Sequence, residues 1–166
     1  IPKLDMSVSM DGLYKQYNWI RSTDFDDVVG KLTRWHKETK KRVDLLTTMS
    51  IYNFFNIPEQ IEYYTSMKSV RKMKLLETKS PSYISPYMIP QHMIDELNHK
   101  HAESIWCTAN PKLERKENLL NFKSWETTRP DWFKANIIKV LSWMKFVNEQ
   151  RGFKIEDHVP ELNKVK

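Results

Sequence analysis

Scarcity of glycine is the feature that most constrains what this chain can fold into. Its 166 residues contain three glycines, Gly12, Gly30 and Gly152. Neither the dinucleotide-binding fingerprint nor the phosphate-binding P-loop can be written from them, because both patterns need closely spaced glycines. Tight β-hairpins usually place glycine at positive φ, so a fold built from hairpins is also disfavoured. The sequence therefore favours helices over hairpin-linked strands.

Hydrophobic periodicity points in the same direction. Apolar residues recur at helical spacing in several long segments that begin at capping residues or prolines and end near turn formers. A shorter helix is predicted over 111–122. The main helices are predicted over 24–49, 58–77, 90–107 and 129–151. We therefore expect an all-α fold, with about four main helices in an irregular bundle.

The segment 78–90 divides the predicted helices into two groups. It carries three prolines and two tyrosines but no glycine, which is typical of a stiff, extended connector. The segments before the first helix and after Gly152 lack helical periodicity, and we expect extended arms that lie on a neighbour. The single domain 1–166 is thus predicted to comprise an N-terminal arm (1–22), a first helical pair (23–77), the connector (78–90), a second helical group (91–152) and a C-terminal arm (153–166).

The bulk composition narrows the class of protein. The chain has 27 basic and 21 acidic side chains, a net charge of +6 that suits nucleic acid, an anionic membrane surface or an acidic protein. Its single cysteine excludes an intrachain disulfide and favours a reducing compartment. No apolar run approaches the roughly 20 residues that span a bilayer. We expect an intracellular protein without a transmembrane segment, with mitochondrial and viral assemblies both open.

A polar stretch over 92–107 raises the question of a metal site. His92, Glu96 and His99 are spaced to share one face of a helix, as three ligands of a catalytic zinc ion would be. That face lies opposite the apolar side of the same helix, so we expect it to point to solvent. The apolar side consists of Ile94, Leu97, His101 and Ile105.

Other histidines and the cysteine also fall short of a catalytic arrangement. His101 begins a His-Ala-Glu sequence resembling half of the zinc-deaminase signature, but the second half needs more cysteines than the chain has. His36 and His101 lie within apolar stripes, where a neutral, hydrogen-bonded imidazole is expected. Cys107 has no base in helical phase with it. The sequence predicts no catalytic residue, no bound metal and no cofactor.

Two groups of basic and aromatic residues are the best candidates for a binding surface. Basic side chains neutralise phosphates and aromatic rings stack on bases, a combination that suits nucleic acid. A solvated helix face is the alternative interpretation, because no recognition motif is present. The candidates are Lys37, Lys40, Lys41, Arg42, Tyr64, Lys68, Arg71, Lys72 and Lys74.

These observations favour a non-catalytic structural or interaction subunit of a larger macromolecular assembly. It would bind other protein subunits through its basic-aromatic helix faces and its terminal arms. One alternative is a nucleic-acid-binding helical protein that uses the same basic faces. The other is a metal-dependent hydrolase or nuclease that uses His92, Glu96 and His99.

Overall fold

A computed structural model describes residues 5–78, 80–101, 111–114 and 123–165, and they fold around a parallel β-sheet flanked by helices. The first half of the chain alternates strands and helices, whereas most of the described residues in the second half are helical. In chain order the elements are β1 (Ser7–Ser9), α1 (Tyr14–Arg21), α2 (Phe25–Thr39), β2 (Val43–Met49), α3 (Ile57–Ser66), β3 (Val70–Glu77), α4 (Gln91–His101), β4 (Leu113–Glu114), α5 (Trp125–Thr128) and α6 (Pro130–Arg151).

The strands lie side by side in the order in which they occur along the chain. β1 pairs with β2, β2 with β3 and β3 with β4, and every pairing is parallel. Parallel neighbours cannot be joined by a hairpin, so the helices carry the chain back between strands. A consequence is that the carboxyl ends of the strands all meet at one end of the sheet.

The prediction of an all-α fold is wrong, and the first error lies in the segment 24–49. Helix α2 ends at Thr39, where Lys40 adopts a left-handed conformation with φ of 58°. Strand β2 follows, and its residues alternate between buried and half-buried. A short apolar run fits the helical period and the alternating period of a strand almost equally well. Val43 and Leu46 were therefore assigned to the apolar face of the helix predicted over 24–49.

The second error lies in the segment 58–77, which was predicted as one helix but contains α3 and β3. Helix α3 ends at Ser66, Met67 is extended, and β3 begins at Val70. The apolar residues of that segment segregate poorly on a helical wheel because they belong to two elements of different period. Inside β3, Met73 and Leu75 point into the core.

The predicted terminal arms are also wrong, because the described parts of both terminal segments pack in the core. The first 22 residues contain β1 and α1, and α1 buries Tyr17 and Trp19. After α6 the chain forms two 3-10 turns, Ile155–Asp157 and Pro160–Lys164. These turns and their flanks bury Ile155, Val159, Leu162 and Val165.

The last helix, the connector and the helix predicted over 90–107 have different outcomes. The last helix is confirmed as α6, and Gly152 ends it at a φ of 72°. The connector contains two 3-10 turns, Ser82–Ile84 and Pro86–Met88, and buries Met88 and Ile89 against the core. The helix predicted over 90–107 is described as α4 as far as His101, and its remainder lies outside the described residues.

The short helix predicted over 111–122 is replaced at its start by β4, and 115–122 are not described. Across the described ranges, no helix combines the length and the apolarity that crossing a bilayer requires.

Candidate functional site: a cavity at the carboxyl ends of the strands

A cavity of 380 Å³ opens where the parallel strands end. Asp11 follows β1, Ser50 and Tyr52 follow β2, and Thr78 and Ser80 follow β3. Helix α6 supplies another part of the lining through Trp143, Val147 and Arg151. Parallel sheets place ligand sites at the carboxyl ends of their strands, because the loops there converge while the strands hold them rigidly. We call this the strand-end cavity.

Asp11 is a buried carboxylate that ties β1, β2 and α1 together. The residue is 4% exposed, and its Oδ1 accepts a hydrogen bond of 2.6 Å from the Thr48 amide. Its Oδ2 forms an ion pair with the Arg21 guanidinium. Burial raises the pKa of the Asp11 carboxyl, while the Thr48 amide and Arg21 oppose that rise. With Asp11 ionised, the pair of Asp11 and Arg21 adds no net charge to the cavity.

Tyr52 has a buried hydroxyl that no group with a described position satisfies. The residue is 3% exposed, and its ring packs edge-on against Trp19 with 4.9 Å between centroids. Its hydroxyl has no hydrogen-bond partner in the described part of the chain. Desolvation, with smaller contributions from Tyr83 and Glu156, raises the pKa of this phenol far above its ordinary value. Tyr52 is therefore neutral and keeps a proton to donate.

Arg151 adds a positive charge at the last residue of α6. Its Nε donates a hydrogen bond of 3.1 Å to the Trp19 carbonyl. No carboxylate in the described ranges forms an ion pair with it. Since Asp11 and Arg21 offset each other, the cavity lining carries a net charge of about +1. The rest of the lining includes apolar surface from Trp19, Ile20, Ile84, Trp143 and Val147.

Sequence reasoning missed these residues. Neither Asp11 nor Tyr52 belongs to the candidate residues that the sequence indicated. Their signal is positional, because each stands just beyond a strand, and it becomes visible only once β1 and β2 are recognised as strands.

The predicted binding residues lie mostly at the opposite end of the sheet. Lys37, Lys40, Lys41 and Arg42 are exposed at the end of α2 and in the loop that enters β2. Lys68 is exposed in the loop that enters β3. Both loops sit at the amino ends of the strands and are joined by a hydrogen bond of 2.9 Å from the Val43 amide to the Ser69 carbonyl.

The remaining candidates are already engaged in the fold or lie along β3. Tyr64 is fully buried and its hydroxyl donates to the Gly12 carbonyl, so its ring is not accessible for stacking on a base. Arg71 donates from Nε and Nη2 to both carboxylate oxygens of Asp44, at 2.8 and 2.7 Å. Lys72 is exposed and Lys74 half-buried on β3.

The histidine-rich helix does not form a metal centre in the part that is described. His92, Glu96 and His99 are exposed, as the helical phase predicts. The residues with described positions contain no group of three or more His, Cys, Asp or Glu side chains that could hold a metal ion. Glu103, Ile105 and Cys107 lie outside the described residues.

The two inward-facing histidines have different surroundings. His36 is half-buried, and its Nδ1 lies 2.9 Å from the Lys41 carbonyl oxygen, to which it donates. This bond holds the turn that follows α2, and it satisfies the imidazole in the way expected from the sequence. His101 is partly buried at the described end of α4, and desolvation lowers the pKa of its ring.

Comparison of the chain with protein-family models, with curated proteins and with solved structures finds no match in any of the three.

Proposed function

We propose that the protein binds a small organic molecule in the strand-end cavity. The observation that carries the proposal is Tyr52, a residue of the cavity lining whose buried hydroxyl has no hydrogen-bond partner among the described groups. A buried polar group without a hydrogen bond costs about 1–3 kcal/mol, so proteins rarely keep one that has no use. A ligand atom that accepts a hydrogen bond would remove this cost.

The shape and lining of the cavity support the same proposal. Its volume of 380 Å³ falls within the range of small-molecule sites, which is roughly 300–1,000 Å³. Such sites combine apolar walls with a few polar groups that set orientation. Here Trp19 and Trp143 supply apolar wall, and Tyr52 and Arg151 supply polar groups. The proposal is for binding, and it assigns no reaction to the site.

Replacement of Tyr52 by phenylalanine should separate stability from binding. Tyr52→Phe removes the unsatisfied hydroxyl and keeps the ring against Trp19, so we expect the ligand-free protein to gain about 1 kcal/mol in the free energy of unfolding. Ligand affinity should fall at the same time, because the donor is lost. Urea unfolding followed by tryptophan fluorescence measures the first effect, and a fragment screen by NMR measures the second.

The matched control is Tyr83→Phe, at a half-buried tyrosine in the connector. We expect it to leave the stability within about 0.5 kcal/mol of the unmodified protein. A Tyr52→Phe protein that loses more than this amount of stability in the absence of ligand would show that the hydroxyl is satisfied within the fold. That result would remove the main support for the proposed binding site.

As a second candidate function, we propose that the chain is an interaction subunit of a larger assembly, intracellular and with mitochondrial or viral settings both open. The supporting observation is an exposed apolar patch on α6. Ile138 is 69% exposed, Phe146 50% and Trp143 39%, and together with Tyr83 they line one shallow depression. Contiguous apolar surface of this kind is typical of protein–protein contacts. The described parts of the terminal segments are packed in the core, so we assign the partner contact to this patch and no longer to arms.

A paired substitution tests the second candidate. Ile138→Asp with Phe146→Asp places two negative charges in the patch, and it should abolish the recovery of specific partners in affinity purification from the native source. Lys134→Asp is the control, since it makes the same change in net charge at an exposed position of the same helix. Partners retained equally by both proteins would exclude the patch as their binding surface.

The two sequence-based alternatives remain proposals with less support. Nucleic-acid binding would rest on the exposed lysines at the amino end of the sheet, without Tyr64. It would be recognised by affinity for duplex or single strands that weakens steeply with added salt. For the hydrolase alternative, His92, Glu96 and His99 stand exposed on α4, whereas metal sites are shielded and supported by further hydrogen bonds.

A further inference from the structure

The lining of the strand-end cavity carries more positive than negative charge, and this excess favours an anionic ligand. Three charged residues line it: Asp11, Arg21 and Arg151. Asp11 neutralises Arg21 through their ion pair. Arg151 has its Nε bonded to the Trp19 carbonyl and forms no ion pair within the described ranges. The lining therefore presents one cation that forms no ion pair with any carboxylate whose position is described.

Arg151 and Tyr52 are far apart in the sequence, but both contact Trp19. The Arg151 Nε lies 3.1 Å from the Trp19 carbonyl oxygen, and the Tyr52 ring packs on the Trp19 indole. The indole is fixed in turn, because its Nε1 donates to the Asn148 side chain at 2.9 Å. Trp19 thus contacts both Arg151 and Tyr52, two residues of the same cavity lining, and is itself held by Asn148.

The chemistry of these two groups specifies a complementary anion. With Nε committed to Trp19, Arg151 retains Nη1 and Nη2, which can donate together to two oxygens of one carboxylate. The neutral Tyr52 hydroxyl donates one more hydrogen bond. A net charge of about +1 matches a monoanion better than a dianion. The apolar remainder of the lining, including Ile84, Trp143 and Val147, suits a hydrocarbon or aromatic body.

We infer that the strand-end cavity binds an organic carboxylate, with Arg151 holding the carboxylate, Tyr52 donating a hydrogen bond to the same ligand and the tryptophans packing on its apolar body. This inference rests on the proposed function, since it names the ligand class of the same cavity.

Matched pairs of acids and amides test the inference on the whole chain. Benzoate with benzamide, and indole-3-acetate with indole-3-acetamide, have nearly the same shape and differ in charge. Binding is followed by NMR through the indole N–H resonances of Trp19 and Trp143, which report on the cavity itself. We expect each acid to bind about tenfold to hundredfold more tightly than its amide, the range for hydrogen bonds to a charged group.

Arg151→Gln should reduce the preference for acid over amide to near one while leaving amide binding in place. Arg129→Gln is the control, because it removes one positive charge from an exposed residue that stacks over Trp125. It should retain the preference. Arg151→Lys, which keeps the charge without the paired donors, should show an intermediate preference and serves if the glutamine variant folds poorly.

Three outcomes would overturn the inference. Equal affinity of acid and amide for the unmodified protein would exclude a carboxylate ligand but leave the cavity as a binding site. A preference that survives Arg151→Gln would exclude the role of Arg151. Failure of every probe to shift the Trp19 and Trp143 resonances would reject a carboxylate ligand for this cavity, and the stability of Tyr52→Phe would then decide separately whether the proposed function also fails.

Discussion

Tyr64→Ala is expected to lower the free energy of unfolding by about 3–5 kcal/mol, the range for truncating a buried aromatic side chain to alanine. Tyr64 is fully buried in α3, and its ring packs edge-on against Tyr63 with 5.5 Å between centroids. Its hydroxyl donates to the Gly12 carbonyl in the turn between β1 and α1. Truncation leaves a cavity beside the sheet and removes the donor of that carbonyl. Urea unfolding followed by tryptophan fluorescence measures the loss.

Two further variants identify what Tyr64 contributes. Tyr64→Phe keeps the ring and loses the hydrogen bond, so it should cost about 0.5–1.5 kcal/mol. Ile138→Ala removes apolar atoms from an exposed position and should change stability by no more than about 0.5 kcal/mol. If Tyr64→Ala cost as little as Ile138→Ala, Tyr64 would not be a core residue, and its predicted role as an accessible aromatic in a binding surface would have to be reconsidered.

The sequence predicts helices well where caps and period agree. Helix α6 has apolar residues at regular helical spacing, a proline in its first turn and Gly152 at its end, and its predicted bounds are nearly correct. The start of α2 is similarly marked, since Asp24 caps the helix by accepting a hydrogen bond of 3.0 Å from the Asp27 amide. In both cases several local signals point to the same structure.

The strands were not predicted because their boundaries lack the capping and turn residues that identify the helix ends. The loops that enter β2 and β3, residues 40–42 and 67–69, contain neither glycine nor proline. The left-handed turn after α2 is made by Lys40, a residue type that rarely marks one. Scarcity of glycine excludes hairpins, but parallel strands need no hairpins, since helices connect them. The inference from few glycines to an all-α fold was therefore too broad.

The candidate site was harder to predict from the sequence than the fold. Asp11, Tyr52 and Arg151 are distant in the sequence, and none belongs to a recognisable motif. They share a cavity because β1 and β2 end side by side and α6 lies against α1. The basic residues were found from the sequence because they are clustered locally, which identifies charged surface but not a site assembled by topology.

The second large loss of stability is expected on substitution of Asn148, which links α1 to the turns that follow α6. Its Oδ1 accepts hydrogen bonds from the Trp19 indole at 2.9 Å and from the Ile155 amide at 3.0 Å. Its Nδ2 donates to Glu156 at 2.8 Å. Asn148→Ala leaves the two donors without an acceptor, at about 1–3 kcal/mol for each buried group. We expect a total loss of about 2–6 kcal/mol in the free energy of unfolding.

The same substitution should release the turns that follow α6, because the Ile155 amide loses its acceptor. Hydrogen exchange at that amide is expected to accelerate more than exchange within β2, where the ladder of the sheet is unaffected. Asn163→Ala, at an exposed asparagine of the last turn, is the control and should alter neither measurement. Unchanged protection of Ile155 in Asn148→Ala would mean that the C-terminal segment is held by its apolar residues alone.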